Sequence, residues 1–151
     1  MKKYELTSET KIVFGHILYR IKALSSFGYV SAGDLGGFLE SEKNLSQNGN
    51  AWVSGNAWVY GNAEVSGDAR VSEIGAIFWI GAVGSRNDTA TFFRCRDGSI
   101  KVVCGCFFGN LDEFAKKVRK THGDNDHAKV YMLAIDMAKI RISTEKEKTE
   151  E

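Results

Sequence analysis

The segment Gly84-Ser85-Arg86-Asn87-Asp88-Thr89, followed by Thr91 and Arg94, concentrates guanidinium groups, hydroxyls and a glycine-bearing backbone within a few residues. A guanidinium beside hydroxyl and loop-amide donors suits a phosphate or carboxylate, because each anionic oxygen takes a charge-assisted hydrogen bond. Ser85, Arg86, Asp88, Thr89 and Arg94 are therefore candidate ligand-binding residues. The plainer alternative is that Arg86 and Asp88 pair with each other and merely end the segment before them.

A second group with ligand chemistry is Cys95, Cys104, Cys106, His122 and His127. Cys-x-Cys on a strand turns both thiols to one side, a point in favour of zinc. Two paired knuckles are missing, however, and a thiol is often a small buried hydrophobe. No metal site and no cofactor are expected, and a nucleophilic Cys–His pair has no more support. Three cysteines, an odd number lying close together, fit reduced thiols in a reducing compartment.

The elements that must position these residues are announced by a period of six. Residues 50 to 83 read NAWVSG, NAWVYG, NAEVSG, DARVSE, IGAIFW and IGAV. In each hexad a small residue (Ala51, Ala57, Ala63, Ala69, Gly75, Gly81) stands two places before a β-branched one (Val53, Val59, Val65, Val71, Ile77, Val83). Two places apart on an extended chain is the same face. On a helix, residues six apart diverge by about 240°, so the pattern cannot build a helical stripe. Gly55-Asn56, Gly61-Asn62 and Gly67-Asp68 supply corners that tolerate positive φ. Short strands with regular corners coil into a solenoid.

At this point the chain resembles the hexapeptide-repeat, left-handed parallel β-helix proteins, and within them phage and prophage proteins with N-A-x-V-x-G repeats that are often labelled putative transferases. The lead-in V30-S-A-G-D-L-G-G-F-L-E-S and NLSQNGNAWV strengthen the likeness. So do Gly84 to Thr89, Gly105 to Phe114 and His122-Gly123, which match stretches of that group and add His122 to the candidate ligand residues. The resemblance implies that residues eighteen apart stack: Val53 on Val71, Val59 on Ile77, Val65 on Val83, with Leu35 beneath Val53 and Leu39 beneath Ala57. Repeat arrays usually need three or more units and capped ends, so the flanks must complete the core.

Those flanks read as a single domain over 1–143: an N-terminal hairpin and lead-in coil (1–49), the hexapeptide β-helix (50–84), and a hairpin with a two-helix cap (85–143). The expected first hairpin turns at Gly15-His16 with type II′ geometry, burying Ile17, Tyr19 and Ile21. A second hairpin turns at Asp97-Gly98. Asn110 with Glu113 makes a capping-box pattern for a helix carrying Leu111, Phe114 and Val118 on one face. A second helix begins near Asp124 to Asp126, with Val130, Leu133, Met137 and Ile140 as its expected buried stripe. Residues 144–151 are charged without an apolar partner and read as a disordered tail.

Twenty basic against nineteen acidic residues give a net charge of +1, which argues against a dedicated nucleic-acid or membrane-surface binder. No stretch approaches the roughly 20 apolar residues of a membrane span, and MKKYELTSET lacks the apolar core of a secretion signal, so a cytoplasmic protein is expected.

Trp52 and Trp58, neighbours of inward valines, are expected to face outward; with Tyr60 and Arg70 they form the candidate interface, Arg70 covering Trp52. Many hexapeptide-repeat proteins are trimeric acyltransferases with a histidine base, but the repeats contain no histidine. The expectation is thus a non-enzymatic, homo-oligomeric binding protein of phage type. It would inhibit a bacterial defence system by docking on a host protein or by sequestering a small, nucleotide-like anion. The alternative is a small acyltransferase-like enzyme.

Overall fold

A computed structural model describes residues 1–142; the charged segment 144–151 lies outside the described residues. Over the described residues the chain is mainly β, with several sheets and two helices, and divides into two compact units, residues 1–74 and 75 onward.

In the first unit, β1 (Tyr4–Val13) and β2 (His16–Ala23) form an antiparallel hairpin. β2 pairs antiparallel with β3 (Leu35–Leu39), and β3 pairs in parallel with β5 (Trp58–Val59). β4 (Trp52–Val53) lies parallel to β6 (Arg70–Val71), and a further parallel bridge joins Leu45 to Val65. The chain therefore makes three short parallel pairings in succession: Leu39 with Val59, Leu45 with Val65, and Val53 with Val71.

The hexad pattern explains what fills this coil. Ala51, Val53, Ala57, Val59, Ala63, Val65, Ala69 and Val71 are each at most 1% exposed. Alanine leaves room at the corners while the β-branched partner fills the centre of each side. Gly55, Gly61 and Gly67 turn the corners at φ of 61°, 66° and 68°, a region that side chains with a β-carbon rarely adopt. Asn44, fully buried, ties one turn to the next by donating to the carbonyls of Gly61 and Ala63.

Val53 on Val71 and Ala51 with Ala69 obey the expected eighteen-residue stacking, the Trp52 amide donating to the Ala69 carbonyl. The lead-in does not. Leu39 pairs with Val59 rather than lying beneath Ala57, and Leu35 is exposed and paired with Lys22. The reason is the step from Leu45 to Val53, eight residues where a hexad has six, which lengthens the first turn. Of the later hexads, Ile77 pairs antiparallel with Phe93 and Val83 with Asp88, both within the second unit.

The N-terminal hairpin differs from expectation in turn and in phase. Its central residues are Phe14 and Gly15, at φ of 50° and 84°, which is type I′ rather than II′. β1 runs unbroken through Thr7-Ser8-Glu9-Thr10 by absorbing a register shift between Leu6 and Thr10. Leu18 and Ile21 are buried, whereas Ile17 is half exposed. The irregularity between Arg20 and Lys22 moves Ile21 out of Ile17's phase.

Trp52 is not an outward residue. Tyr4 and Phe27 meet its ring edge-on at 6.3 and 5.4 Å, leaving it 5% exposed. Tyr4 is anchored there by donating its hydroxyl to the Leu45 carbonyl at 2.6 Å. Beside it, the Lys3 ammonium donates to the carbonyls of Ala51 and Gly49 and lies 4.6 Å from the Phe27 ring centre. Burial lowers the Lys3 pKa to about 8.

In the second unit, β7 (Ile77–Val83), β8 (Asp88–Arg94), β9 (Ile100–Cys104) and β10 (Phe107–Asn110) form an antiparallel meander. Helices α1 (Leu111–His122) and α2 (Asp126–Arg141) pack on it through a core that includes Phe92, Val102, Phe114, Val118, Tyr131 and Ala134. Asn110 caps α1, accepting from the Glu113 amide while Glu113 accepts from the Asn110 amide, as the sequence pattern requires. Asn125 caps α2.

The buried stripe of α2 is Ala128, Tyr131, Ala134, Ile135 and Ala138, and not the expected Val130, Leu133, Met137 and Ile140, which are exposed. The helix is apolar on two sides, and the alanine side lets its backbone approach the sheet more closely. Among the described residues no helix is long and apolar enough to cross a membrane.

Two outcomes test this account of the first unit. Trp52→Ala should destabilise the fold by about 3 kcal/mol or more, read as a lower denaturant midpoint, because it empties a filled aromatic site. Lys3 with a lowered pKa is charged in both states below pH about 8, where the folded state bears the full burial cost. From there to about pH 10.5 the unfolded chain binds the proton and the folded chain does not, so stability rises with pH. Lys3→Met should flatten that rise in midpoints measured between pH 7.5 and 10.

Candidate ligand-binding cavity

Gly84 to Asn87 is the loop of the β7–β8 hairpin, closed by the Val83–Asp88 pair, and not a simple junction between coil and cap. Asn87 sits at φ 55° and its amide donates to the Gly84 carbonyl. Gly84, at φ 74°, lies so close to the end of Tyr131 that a β-carbon there would collide with the hydroxyl. The loop is thereby pressed toward α2, and a glycine is required at its first position.

Beside this loop is a cavity of about 260 Å³ lined by Ser85, Arg86 and Asp88, by Cys104 to Phe107 at the β9–β10 turn, and by one face of α1 with Tyr131. The α1 face consists of Phe114, Lys117, Val118, Thr121 and His122, spaced i, i+3, i+4, i+7 and i+8. Phe114 and Val118 are buried while Lys117 and Thr121 are exposed, so the floor is apolar and the rim polar. Phe107 and Phe114 meet at 5.2 Å between ring centres, and Tyr131 packs edge-on against Phe114 at 5.5 Å.

Four of the six sequence candidates therefore come together or nearly so: Ser85, Arg86, Asp88 and His122 all line the cavity. Thr89 and Arg94 do not belong to it. Thr89 follows Asp88 on an extended strand and so turns to the other face, where its Oγ1 lies beside Gly81. Arg94 is six residues along the same strand, about 20 Å away at a strand's rise per residue, and pairs with Ile100. Lys117, Thr121 and Tyr131 were missed. Lys117 and Thr121 continue the Phe114–Val118 face by helical spacing, a signal the sequence does carry; Tyr131 had none, since only the fold of α2 onto the sheet brings it there.

The electrostatics favour an anion that also offers a hydrogen-bond donor. Arg86 and Lys117 supply two permanent cations against the single Asp88 carboxylate. Among the described residues no ion pair joins Arg86 to Asp88. Asp88 instead holds an oxygen near the Gly105 backbone, 3.1 Å from where a β-carbon on that glycine would sit. The Tyr131 pKa is pushed up to about 12, by burial first and then by the proximity of Cys104 and Asp88. Its hydroxyl stays protonated near neutral pH, with the Cys104 thiol donating weakly to it at 3.9 Å. His122 stacks on Tyr131 at 5.9 Å and lies 5.2 Å from the His127 ring.

The thiols do not share a strand face. Cys104 ends β9 and is buried, whereas Cys106 lies in the β9–β10 turn and is exposed. Cys95 is buried in the turn after β8. Among the described residues no group of three or more His, Cys, Asp or Glu side chains could hold a metal ion.

The interface candidates of the first unit are dispersed in role. Trp58 is half-buried, 6.0 Å from the Phe14 ring with Lys11 Nζ 5.8 Å away. Tyr60 stacks on His16 at 4.4 Å, and His16 Nδ1 lies 2.8 Å from Glu40 Oε2. Arg70 is paired with Trp52 in register, as expected, but its guanidinium lies over Tyr29 at 4.3 Å. An exposed sheet of indoles is therefore not present on this side, because the lead-in and the hairpin cover it.

No protein-family model matches this chain, and no curated protein matches it either.

Gly84→Ala should lower the thermal midpoint and loosen Tyr131, since the new methyl meets the phenol at a φ that alanine resists. The check is tyrosine titration followed by absorbance. Freed from burial, Tyr131 should ionise at lower pH than the value of about 12 that the intact site imposes.

Proposed function

We propose that this protein is a non-enzymatic binding protein that holds a small anionic, nucleotide-like ligand in the cavity beside the Gly84–Asn87 loop. The observation that carries the reading is the convergence of Arg86 and Lys117, from a hairpin loop and a helix, on one cavity with an aromatic floor. Two cations take the phosphate or carboxylate. Phe107 and Phe114 offer apolar surface to a ring or chain, and Asp88 accepts from a donor on the same molecule, which favours an amphiphilic anion over free phosphate.

The first unit then serves as scaffold. Its three successive parallel pairings, buried alanine–valine pattern and positive-φ corners support a short left-handed parallel β-helix of the hexapeptide-repeat kind. Within the phage-type group that the repeats resemble, removing a nucleotide-like signal from the host cytoplasm would blunt a defence system. The binding cavity supplies the chemistry for such sequestration.

The test is isothermal titration of the full chain with inorganic phosphate, AMP and cyclic AMP, alongside native mass spectrometry for any retained small molecule. Binding of a nucleotide in preference to phosphate is expected. Arg86→Ala and Lys117→Ala should each weaken it about tenfold or more, the worth of one charge-assisted contact. A protein that retains nothing and binds none of the three, or whose binding ignores both substitutions, does not work this way.

A further inference from the structure

His122 is the last residue of α1 and lines the same cavity as Arg86 and Lys117. Its ring stacks on Tyr131 at 5.9 Å with 24° between the planes, and the His127 ring at the start of α2 stands 5.2 Å away. Among the described residues no carboxylate pairs with His122 and no hydrogen bond engages its ring. Histidine is the side-chain type whose charge ordinarily changes between about pH 5 and 8, so one without a fixed counter-charge answers to whatever charge arrives beside it.

The groups around His122 come from every element that borders the cavity. The β7–β8 loop brings Arg86 and Asp88, the β9–β10 turn brings the Cys104 and Cys106 thiols, and α2 brings His127 and the Tyr131 phenol. On α1 itself Lys117 lines the cavity, and Arg119 and Lys120 add positive charge in the last turn. Tyr131, pushed up to about 12, carries no charge near neutral pH. Asp124 and Asp126 do not line the cavity, and Asp126 lies 3.9 Å from the Lys129 ammonium. In the free protein the cationic neighbours therefore outweigh the Asp88 carboxylate and oppose a proton on His122, with the negative end of α1 favouring it. An anion held by Arg86 and Lys117 reverses that balance, because an opposite charge within about 4–6 Å raises the pKa of a histidine by roughly one unit or more.

We propose that anion binding in this cavity is coupled to protonation of His122, so that the protein holds its ligand more tightly as pH falls. The coupling rests on the anion-binding reading and adds regulation to it. Below the pH at which His122 of the free protein titrates, both states carry the proton and affinity sits on its upper plateau. Above the pH at which His122 of the bound protein titrates, neither state carries it and affinity sits on its lower plateau. Between the two, affinity falls by up to about tenfold per pH unit, the limit for one proton. One proton is the expected number, since a charge on His122 disfavours a second on the His127 ring 5.2 Å away.

Titration calorimetry of the full chain with cyclic AMP and with inorganic sulfate tests it, because both anions keep a fixed charge from about pH 5.5 to 8, across the histidine range. Affinity should rise about tenfold or more from the alkaline to the acid end. Heats measured at about pH 6.5 in two buffers of different ionisation enthalpy should report uptake of up to about one proton per anion. His122→Gln should give a flat profile near the lower plateau, and His122→Lys, with a permanent charge, a flat profile nearer the upper one. His127→Gln, outside the cavity lining, should keep the pH dependence. Circular dichroism checks that each variant is folded. An affinity that does not change with pH, or a pH dependence that survives His122→Gln, overturns the coupling and leaves the anion site standing. Absence of binding by both anions at every pH overturns the anion site itself, and the coupling with it.

Discussion

The first unit depends on hydrogen bonds that no single turn of its chain can make for itself. A two-residue strand such as Trp52–Val53 has no internal partner, so its amides must be taken up by the next turn: Trp52 by Ala69, Ser54 by Val71, Phe38 by Ala57 and Ser46 by Val65. That requirement forces a constant cross-section, and the cross-section in turn restricts the inward positions to alanine and a β-branched residue. Asn44 reinforces the same constraint from a side chain, reaching two carbonyls of the following turn from a fully buried position. The hairpin of β1 and β2 extends the sheet from β3, so the outer edge of β3 is paired rather than open.

The second unit solves a different problem, that of building a cavity with charge at its rim and no charge in its floor. The meander supplies two loops, Gly84–Asn87 and Gly105–Cys106, and α1 supplies a face on which Phe114 and Val118 go down while Lys117 and Thr121 stay up. Tyr131 joins these parts. Its ring packs on Phe114, its hydroxyl limits how far the Gly84 loop can move inward, and its burial keeps it neutral. Because helix, loop and strand turn are each held by this one ring, the cavity is shaped largely before any ligand arrives, which lowers the ordering cost of binding.

Much of this was legible in advance where a local rule applied. The hexads gave away the buried residues from Ala51 to Val71 because period two on a strand leaves no choice of face. The Asn110–Glu113 box marked the start of α1, and the dense run of Ser85, Arg86 and Asp88 marked the cavity loop. Local rules failed where two answers were equally apolar. α2 offered a stripe of large residues and a stripe of alanines, and Ile17 and Leu18 offered either side of β2. Trp52 was misplaced for a related reason: alternation says which way a side chain leaves its own strand, not whether another segment lies over it.

By itself, then, the sequence determined the elements and the coil's filling, because backbone geometry and side-chain alternation are properties of neighbouring residues. It also singled out Ser85, Arg86 and Asp88, which line the cavity from one loop. Only the tertiary structure decided which stretch of hexads coils and which joins an antiparallel sheet, since Ile77 and Val83 find partners in Phe93 and Asp88 that no spacing could name. It decided too that Lys117 and Tyr131 complete the cavity, that Thr89 and Arg94 do not, and that the large residues of α2 are left outside. Those outcomes turn on which surfaces pack most closely across long chain separations, and close packing is a property of the assembled fold.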